Sequence, residues 1–305
     1  MKEQVGKVVL NYEYYSGVDS YSDGNIEDDL LELVKREEPE KIIQADHRWP
    51  ILYHLSPVRQ NILEWYPMDP EATVLEVGAG CGAITGVLSR KAKRVVCVEL
   101  SKRRSLINAN RNRNCDNVEI MVGNFNDVRL NEKFDYITLI GVLEYAAYYT
   151  DAENPFEAFL ENLRTMLKPE GKLLIAIENK YGLKYWAGVK EDHTGMLFDG
   201  LEGYHHTQSA VKTFSKDQLN EMIRHAGYKN ADFYYPFPDY KFPTQIFSDE
   251  YLPKAADLAC DYSTYDNDRL MLFNETAVYQ ELLADGKFPF FSNSFFIEAT
   301  NEVTK

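Results

Sequence analysis

Residues 73–82 read Thr-Val-Leu-Glu-Val-Gly-Ala-Gly-Cys-Gly. An apolar run suited to a buried strand passes into three glycines at alternate positions, Gly78, Gly80 and Gly82. A second such run, Val95-Val-Cys-Val98, stops at Glu99. Glycine has no Cβ, so this backbone can turn tightly and lie close against a ligand. The segment after it, Ala83 to Arg90, reads as a helix whose first N–H groups face the same point. A carboxylate ending the second strand accepts hydrogen bonds from both hydroxyls of a ribose without a 2′-phosphate. The pattern therefore predicts a βα unit that holds the sugar of an adenosine-type cofactor. Its spacing, Gly-x-Gly-x-Gly followed by Ala83, differs from the Gly-x-Gly-x-x-Gly of dinucleotide sites, where a pyrophosphate sits on the turn.

Around this unit strands and helices alternate. Strands are predicted at 73–77, 94–98, 118–122, 135–140 and 172–177, and helices near 83–90, 102–113 and 155–167. Asn154-Pro155 starts the last helix and Lys168-Pro-Glu-Gly171 stops it. Near-continuous apolar strands imply a sheet covered on both faces, and strict alternation implies a parallel, doubly wound α/β sheet. Ahead of it, residues 1–66 read as an N-terminal cap, of which residues 1–40 are acidic and tyrosine-rich, with a short amphipathic helix over 26–35. Ser56 caps a further helix that opens at Pro57. This cap is expected to cover the site or form a partner surface. After residue 178, residues 179–212 read as a long loop or lid, and Phe214 to Gly227 as a capped helix. Residues 231–235 form a sixth strand and 294–299 an antiparallel seventh, with a mostly helical insertion at 240–290. The domain plan is 1–66, 67–235 and 236–305.

Thirty-three basic against 48 acidic residues give a formal charge of −15, which disfavours a nucleic-acid substrate, since phosphate needs basic surface. The local basic run of Lys91, Lys93, Arg94, Lys102, Arg103, Arg104, Arg111 and Arg113 reads as solvated helix and loop faces. Cys81, Cys97, Cys115 and Cys260 show no paired spacing, which predicts reduced thiols, a cytoplasmic setting and no metal site. No run has the length of a membrane span, and Met1-Lys-Glu-Gln-Val5 lacks the apolar stretch of a signal peptide.

The first strand ends in Glu76-Val-Gly, which narrows the cofactor to S-adenosylmethionine (SAM). Glu76 to Gly82, Val98-Glu99, Gly123-Asn-Phe125 and Phe134-Asp-Tyr-Ile-Thr-Leu-Ile-Gly-Val-Leu-Glu144 resemble the successive motifs of class I SAM-dependent methyltransferases. The resemblance spans residues 50–178 and extends more weakly to about 235. It implies a Rossmann-like, mainly parallel seven-stranded sheet with SAM across the carboxyl ends of the strands. The cofactor set it implies is Glu76, Gly78, Ala79, Gly80, Gly82, Glu99, Leu100, Asn124 and Phe125, the last two bracketing the adenine. Many relatives have Asp in place of Asn124. Gly141 would run beside the methionine moiety. Tyr53, Ser56 and Arg59 would approach its carboxylate, or else serve as a helix cap and surface charge.

For the methyl acceptor, Glu144 follows the fourth core strand at the cofactor end. The segment Glu178 to Gly195 brings Tyr181, Trp186, Asp192 and His193 to that end. His193 is the first candidate base, with His205 and His206 as further candidates. Tyr145 stands where some small-RNA methyltransferases of this fold carry a metal-binding His, a departure that speaks against a metal-dependent reading. The segment from Glu178 to Gly203, with Tyr53-His-Leu-Ser-Pro57, resembles bacterial methyltransferases associated with glycosyltransferases of surface polysaccharide synthesis. That resemblance implies O-methylation of a small molecule or glycan, with a glycosyltransferase or a second copy of the chain as partner. The alternatives are an rRNA-type methyltransferase, an NAD-dependent oxidoreductase and a non-catalytic SAM-binding scaffold. Against the first, this chain has Ile140-Gly-Val-Leu-Glu144 where the rRNA adenine dimethylases carry an Asn-Leu-Pro-Tyr-like motif. The glycine spacing and Ala83 speak against the second.

Overall fold

A computed structural model of the protein describes residues 1–19, 22, 24–36, 38–258, 264 and 268–301. Cys260 lies outside the described residues. Ten strands form among the described residues: β1 (Lys2–Val5), β2 (Val8–Asn11), β3 (Thr73–Val77), β4 (Arg94–Glu99), β5 (Val118–Val122), β6 (Phe134–Ile140), β7 (Leu167–Glu178), β8 (Asn230–Phe237), β9 (Gln245–Ser248) and β10 (Ser294–Thr300). Their hydrogen-bonded order is β1-β2-β5-β4-β3-β6-β7-β10-β8-β9. The α/β class is as expected, but the count of seven strands is corrected to ten. The additions are β1, β2 and β9, each four residues long. β1 and β9 are the two edge strands, each with a single partner, while β2 sits between β1 and β5 with Val8 and Leu10 fully buried.

The chain divides into two compact units, Met1–Leu139 with Met166–Leu173, and Ile140–Thr165 with Leu174–Lys305. In the first, β3 pairs in parallel with β4 and β6, β4 with β5, and β5 with β2. The register sets Glu76 opposite Cys97 and Glu99 opposite Val122. The N-terminal helices bury Leu30, Val34, Ile42, Ile51 and Leu55 in one cluster with Cys81 and Ile107. Each such side chain removed from water contributes roughly 1.5–3 kcal/mol, so the N-terminal segment is anchored to the glycine loop and to the helix Lys102–Arg111 that follows β4. Asp19 strengthens this anchor. Its carboxylate accepts from the Lys102 and Arg103 backbone N–H groups (2.7 and 3.2 Å) and from Ser101 Oγ (3.2 Å).

Much of the basic run is paired with carboxylates, on faces that range from exposed, as at Lys93, to nearly buried, as at Arg104. Arg104 meets buried Glu27 at 2.7 Å, Arg103 meets Asp28, Arg113 meets Glu38, Lys93 meets Glu71 and Arg94 meets Glu132. The acidic N-terminal segment thus supplies counter-charges to the first unit's own basic residues.

In the second unit β8 pairs antiparallel with β10, Tyr234 opposite Phe296, and with β9, Tyr235 opposite Phe247. Phe233, Tyr235, Phe247, Tyr279, Phe288 and Phe295 form an aromatic interior. The insertion after β8, expected to be mostly helical, contains β9 as well as the helices Glu275–Ala284 and Phe288–Phe291. The helix Lys216–His225 starts in a capping box of Ser215 and Gln218, which satisfies two backbone donors reciprocally. Among the described residues no helix is long and apolar enough to cross a membrane.

Candidate functional site

In the first unit the chain turns out of β3 through Gly78, Gly80 and Gly82, all at positive φ (71°, 52° and 77°). That region costs any residue with a Cβ. The Gly78 and Ala79 N–H groups donate to the Val98 carbonyl at 2.9 and 3.3 Å, fastening the loop to the end of β4. Gly80 N–H donates to Glu99 Oε2 at 2.7 Å, and Ser101 N–H donates to Oε1 at 2.8 Å. A Cβ placed on Gly80 would meet nothing within 4 Å, so open space lies over the loop where Glu99 holds it. Burial pushes the Glu99 carboxyl up, against the hydrogen bonds of Ser101 and Gly80 and the charge of Arg104. Each Glu99 oxygen has two lone pairs, so one backbone N–H on each leaves an acceptor site for a ligand hydroxyl. Leu100, next in the chain, is half-buried.

Glu76 faces the protein instead. Its Oε2 accepts from Thr85 Oγ1 (2.6 Å) and from Cys97 Sγ (3.2 Å), its register neighbour. Asn108 Nδ2 donates to Thr85 Oγ1, and Asn112 Nδ2 to Asn108 Oδ1. A Cβ on Gly82 would stand 2.3 Å from Asn108 Oδ1, so this glycine allows the buried polar chain to run beneath the loop. Burial raises the Glu76 carboxyl to about 7.

Asn124 Oδ1 accepts from the Asn126 N–H at 3.0 Å and shapes the turn after β5, where Phe125 is buried. The Tyr14 carbonyl lies 2.5 Å from where a Gly123 Cβ would stand, so the N-terminal segment passes directly against this turn. Ser56 Oγ accepts from the Val58 N–H, the expected cap. The buried Arg59 guanidinium lies 4.0 Å from the centre of the Tyr53 ring. Beside it stands a cation that sequence reasoning placed in a solvated run. Arg111 donates to the carbonyls of His54 and Leu55, the latter at 3.2 Å, and burial lowers it to about 10 while neighbouring Arg59 adds to the effect. Periodicity on the helix Lys102–Arg111 was the available signal, since Arg111 falls on the same face as Ile107 and Asn108.

In the second unit, Gly141 leaves β6 at φ 67°. A Cβ there would lie 2.8 Å from Tyr240 Oη, which itself donates to Glu178 Oε1 at 3.3 Å. Glu144 sits in the turn Leu143–Tyr145 and Glu178 ends β7; they are 1% and 0% exposed. With His193 they form a cluster whose nearest ligand atoms all lie within 4.8 Å of one another. His193 Nε2 is 3.7 Å from Glu144 Oε1, and Nδ1 is 3.6 Å from Glu191 Oε1. Oε2 of Glu144 and Oε2 of Glu178 are buried without a hydrogen-bond partner, as is His193 Nδ1. Burial, and then the charge of Glu178, hold the Glu144 carboxyl well above the usual carboxylate range.

The neighbouring Asp192 does not orient His193. It pairs with Lys184 at 3.0 Å, with Lys241, and accepts from Tyr185 Oη at 2.5 Å. Against burial, Lys184 and Lys241 hold it below the usual range. Glu191 instead fixes the His193 loop, accepting from the His193 and Thr194 N–H groups (2.8 and 2.7 Å) and from Tyr204 Oη (3.2 Å). In the same segment Phe198, Tyr204 and Gln208 adopt positive φ, at roughly 1–3 kcal/mol each. His205 and His206 are exposed, with His206 paired to Glu202 at 2.9 Å; neither joins the cluster. Tyr181 stacks on Phe290, and Trp186 meets Phe291 edge-on.

Comparison with known proteins adds the family. A profile described as a methyltransferase domain matches residues 26–232. An uncharacterized methyltransferase of Staphylococcus carnosus is 33% identical over 105 residues, 34% of this chain and 46% of that protein. A probable ribosomal RNA small subunit methyltransferase A of Methanosarcina mazei is 41% identical over 56 residues, 18% of this chain and 21% of that protein. The chain thus matches less than half the length of these curated relatives. Among solved structures, phosphoethanolamine N-methyltransferase 1 of Haemonchus contortus, bound to phosphoethanolamine and S-adenosylhomocysteine, shares the fold. Its TM-score is 0.50 at 13% identity, over 93% of this chain and 51% of that one. The profile match covers most of the sequence and includes the glycine loop and Glu99, so the chain belongs to the methyltransferase-domain family, with S-adenosylmethionine as its cofactor.

Proposed function

We propose that this chain transfers the methyl group of SAM to an oxygen of a small molecule or glycan. On the donor side, Glu99 accepts from the ribose hydroxyls, over a loop of Gly78, Ala79, Gly80 and Gly82 that leaves room above Gly80. Leu100, Asn124 and Phe125 border the adenine. Arg59, with Tyr53, Ser56 and the additional cation Arg111, attracts the methionine carboxylate. Glu76 serves this site by holding Thr85 and the loop above it rather than by touching the ligand.

The observation that carries the acceptor side is the pair of buried carboxylate oxygens without partners, on Glu144 and Glu178, next to His193. Such atoms cost free energy unless a ligand donates to them, and a hydroxyl is such a donor. The sulfonium methyl is already activated, so alignment of the acceptor with the S–CH₃ bond is the main requirement. As the new O–C bond forms, the C–S electron pair stays on sulfur, and the hydroxyl proton passes to the Glu144–His193 cluster. His205 and His206, being exposed, drop out of the catalytic set. An RNA acceptor is disfavoured because the basic side chains are engaged by the protein's own carboxylates. A cytoplasmic location, and a glycosyltransferase or a second copy of the chain as partner, belong to the same proposal.

The test uses SAM carrying a ¹³C-labelled methyl group and a panel of hydroxylated small molecules, oligosaccharides, amines and rRNA fragments. The expected product is a methyl ether or ester on a small molecule or glycan. His193→Ala should lower turnover by roughly 100-fold or more, the scale of lost proton transfer, with SAM affinity unchanged. Label on nitrogen or on RNA, or full activity in His193→Ala, contradicts the proposal.

A further inference from the structure

We propose that Glu144, Glu178 and His193 bind a divalent transition-metal cation, Mn²⁺ or Zn²⁺ in kind, and that the acceptor oxygen becomes a further ligand of that ion. This deepens the proposed function and rests on its placement of the acceptor at this cluster.

The geometry comes first. One atom from each of the three side chains lies within 4.8 Å of the other two. Ligands at about 2.0–2.2 Å from one ion and at tetrahedral angles are about 3.3–3.6 Å apart, so side-chain movements of about 1 Å or less close the site. The three come from separate elements, the turn after β6, the end of β7 and the Glu191–Thr194 loop, so the fold assembles them. Oε2 of Glu144 and Oε2 of Glu178 are buried and lack hydrogen-bond partners. Two buried carboxylates beside one imidazole, each with an oxygen that lacks a partner, suit a cation there.

The surroundings fit an ion rather than a second ammonium group. Lys184 is held between Asp192 and Asp239, and Lys241 between Glu178 Oε1 and Asp192. Tyr240 Oη also lies on Glu178 Oε1, so Oε2 is the oxygen left for a metal. Behind the imidazole, Glu191 Oε1 stands 3.6 Å from Nδ1 and is itself held by two backbone N–H groups and Tyr204. A carboxylate behind the distal nitrogen is the usual support for a metal-binding imidazole; closing this 3.6 Å gap to a hydrogen bond on metal binding would set the tautomer that leaves Nε2 free. Two carboxylates and one imidazole suit Mn²⁺ or Zn²⁺. Three protein ligands leave positions open, where a bound hydroxyl would lose its proton more readily.

The experiment strips the full-length protein with a chelator. Mn²⁺ binding is then followed by the paramagnetic resonance of the free ion, and Zn²⁺ binding by calorimetry. One site per chain is expected. Glu144→Gln and His193→Ala should each weaken it by about 100-fold or more, and Glu191→Gln by about 10-fold, as for a supporting residue. His225→Ala, which breaks a surface pair with Glu157, should leave it unchanged. SAM affinity, measured on every variant, reports folding. Absence of Mn²⁺ and Zn²⁺ binding up to about 1 mM, an affinity of only about 4 kcal/mol, overturns the inference. So does binding undiminished in both Glu144→Gln and His193→Ala. A wild-type protein that binds metal but not SAM would contradict the proposed function and leave this inference standing.

Discussion

Glu76 and Glu99 end neighbouring strands, yet their surroundings give them opposite tasks. Glu99 receives two backbone N–H groups and borders open space above Gly80. Glu76 is enclosed by Thr85 and Cys97, and burial lifts it to about 7. A carboxyl raised in the folded state binds more protons there than in the unfolded chain between about pH 4.5 and 7. Its contribution to stability is therefore full below that window and is lost as pH rises through it. The loss amounts to about 3 kcal/mol at most. Denaturant unfolding across pH 4.5–7.5 should show the wild type losing more stability than Glu76→Gln over that range. Identical slopes for the two proteins would refute the assignment. Arg111 carries a related lesson. Its charge in the sequence suggested solvent, but burial and the His54 and Leu55 carbonyls hold it beside Arg59.

At the scale of elements, the N-terminal segment is tied to the cofactor half through Asp19, which caps the helix Lys102–Arg111 from outside that helix. Asp19→Ala should cost roughly 1 kcal/mol, as for other lost caps, seen as a lower denaturant midpoint; an unchanged midpoint would contradict the anchor. The sequence made β3 to β6 and residues 172–177 of β7 legible because strands covered on both faces are apolar; β7 begins earlier, at Leu167, through exposed Pro169 and Glu170 that carry no such pattern. The helix starts were equally legible from Pro155 and from the Ser215–Gln218 capping box. β1 and β9 were not, because four-residue edge strands bury too little to leave an apolar pattern; β2, an interior strand of Val8-Val-Leu10 followed by Asn11, is apolar but too short for its run to stand out from the polar residues around it. The cluster of Glu144, Glu178 and His193 was legible only in part. Glu144 and His193 were readable from their position after core strands. The burial of Glu178, by contrast, depends on Tyr240 and Lys241, about sixty residues on, which no local pattern announces.

For the whole molecule, net charge and pairing act together. The chain is strongly acidic, and many of its basic side chains are held by carboxylates, so long-range attraction favours a cationic ligand over a polyanion. SAM carries a sulfonium, and in the proposed site the loop, Glu99 and the Arg59–Arg111 pair would divide the recognition of its ribose and carboxylate between them. The central claim is that this arrangement is a SAM site organised by Glu99, and calorimetry tests it most directly. SAM and S-adenosylhomocysteine should bind the wild type one per chain while NAD does not. Glu99→Ala should weaken both by roughly 10- to 100-fold, the loss of about 1.5–3 kcal/mol of charge-assisted hydrogen bonding. No SAM binding by the wild type, or unchanged affinity in Glu99→Ala, would contradict the account.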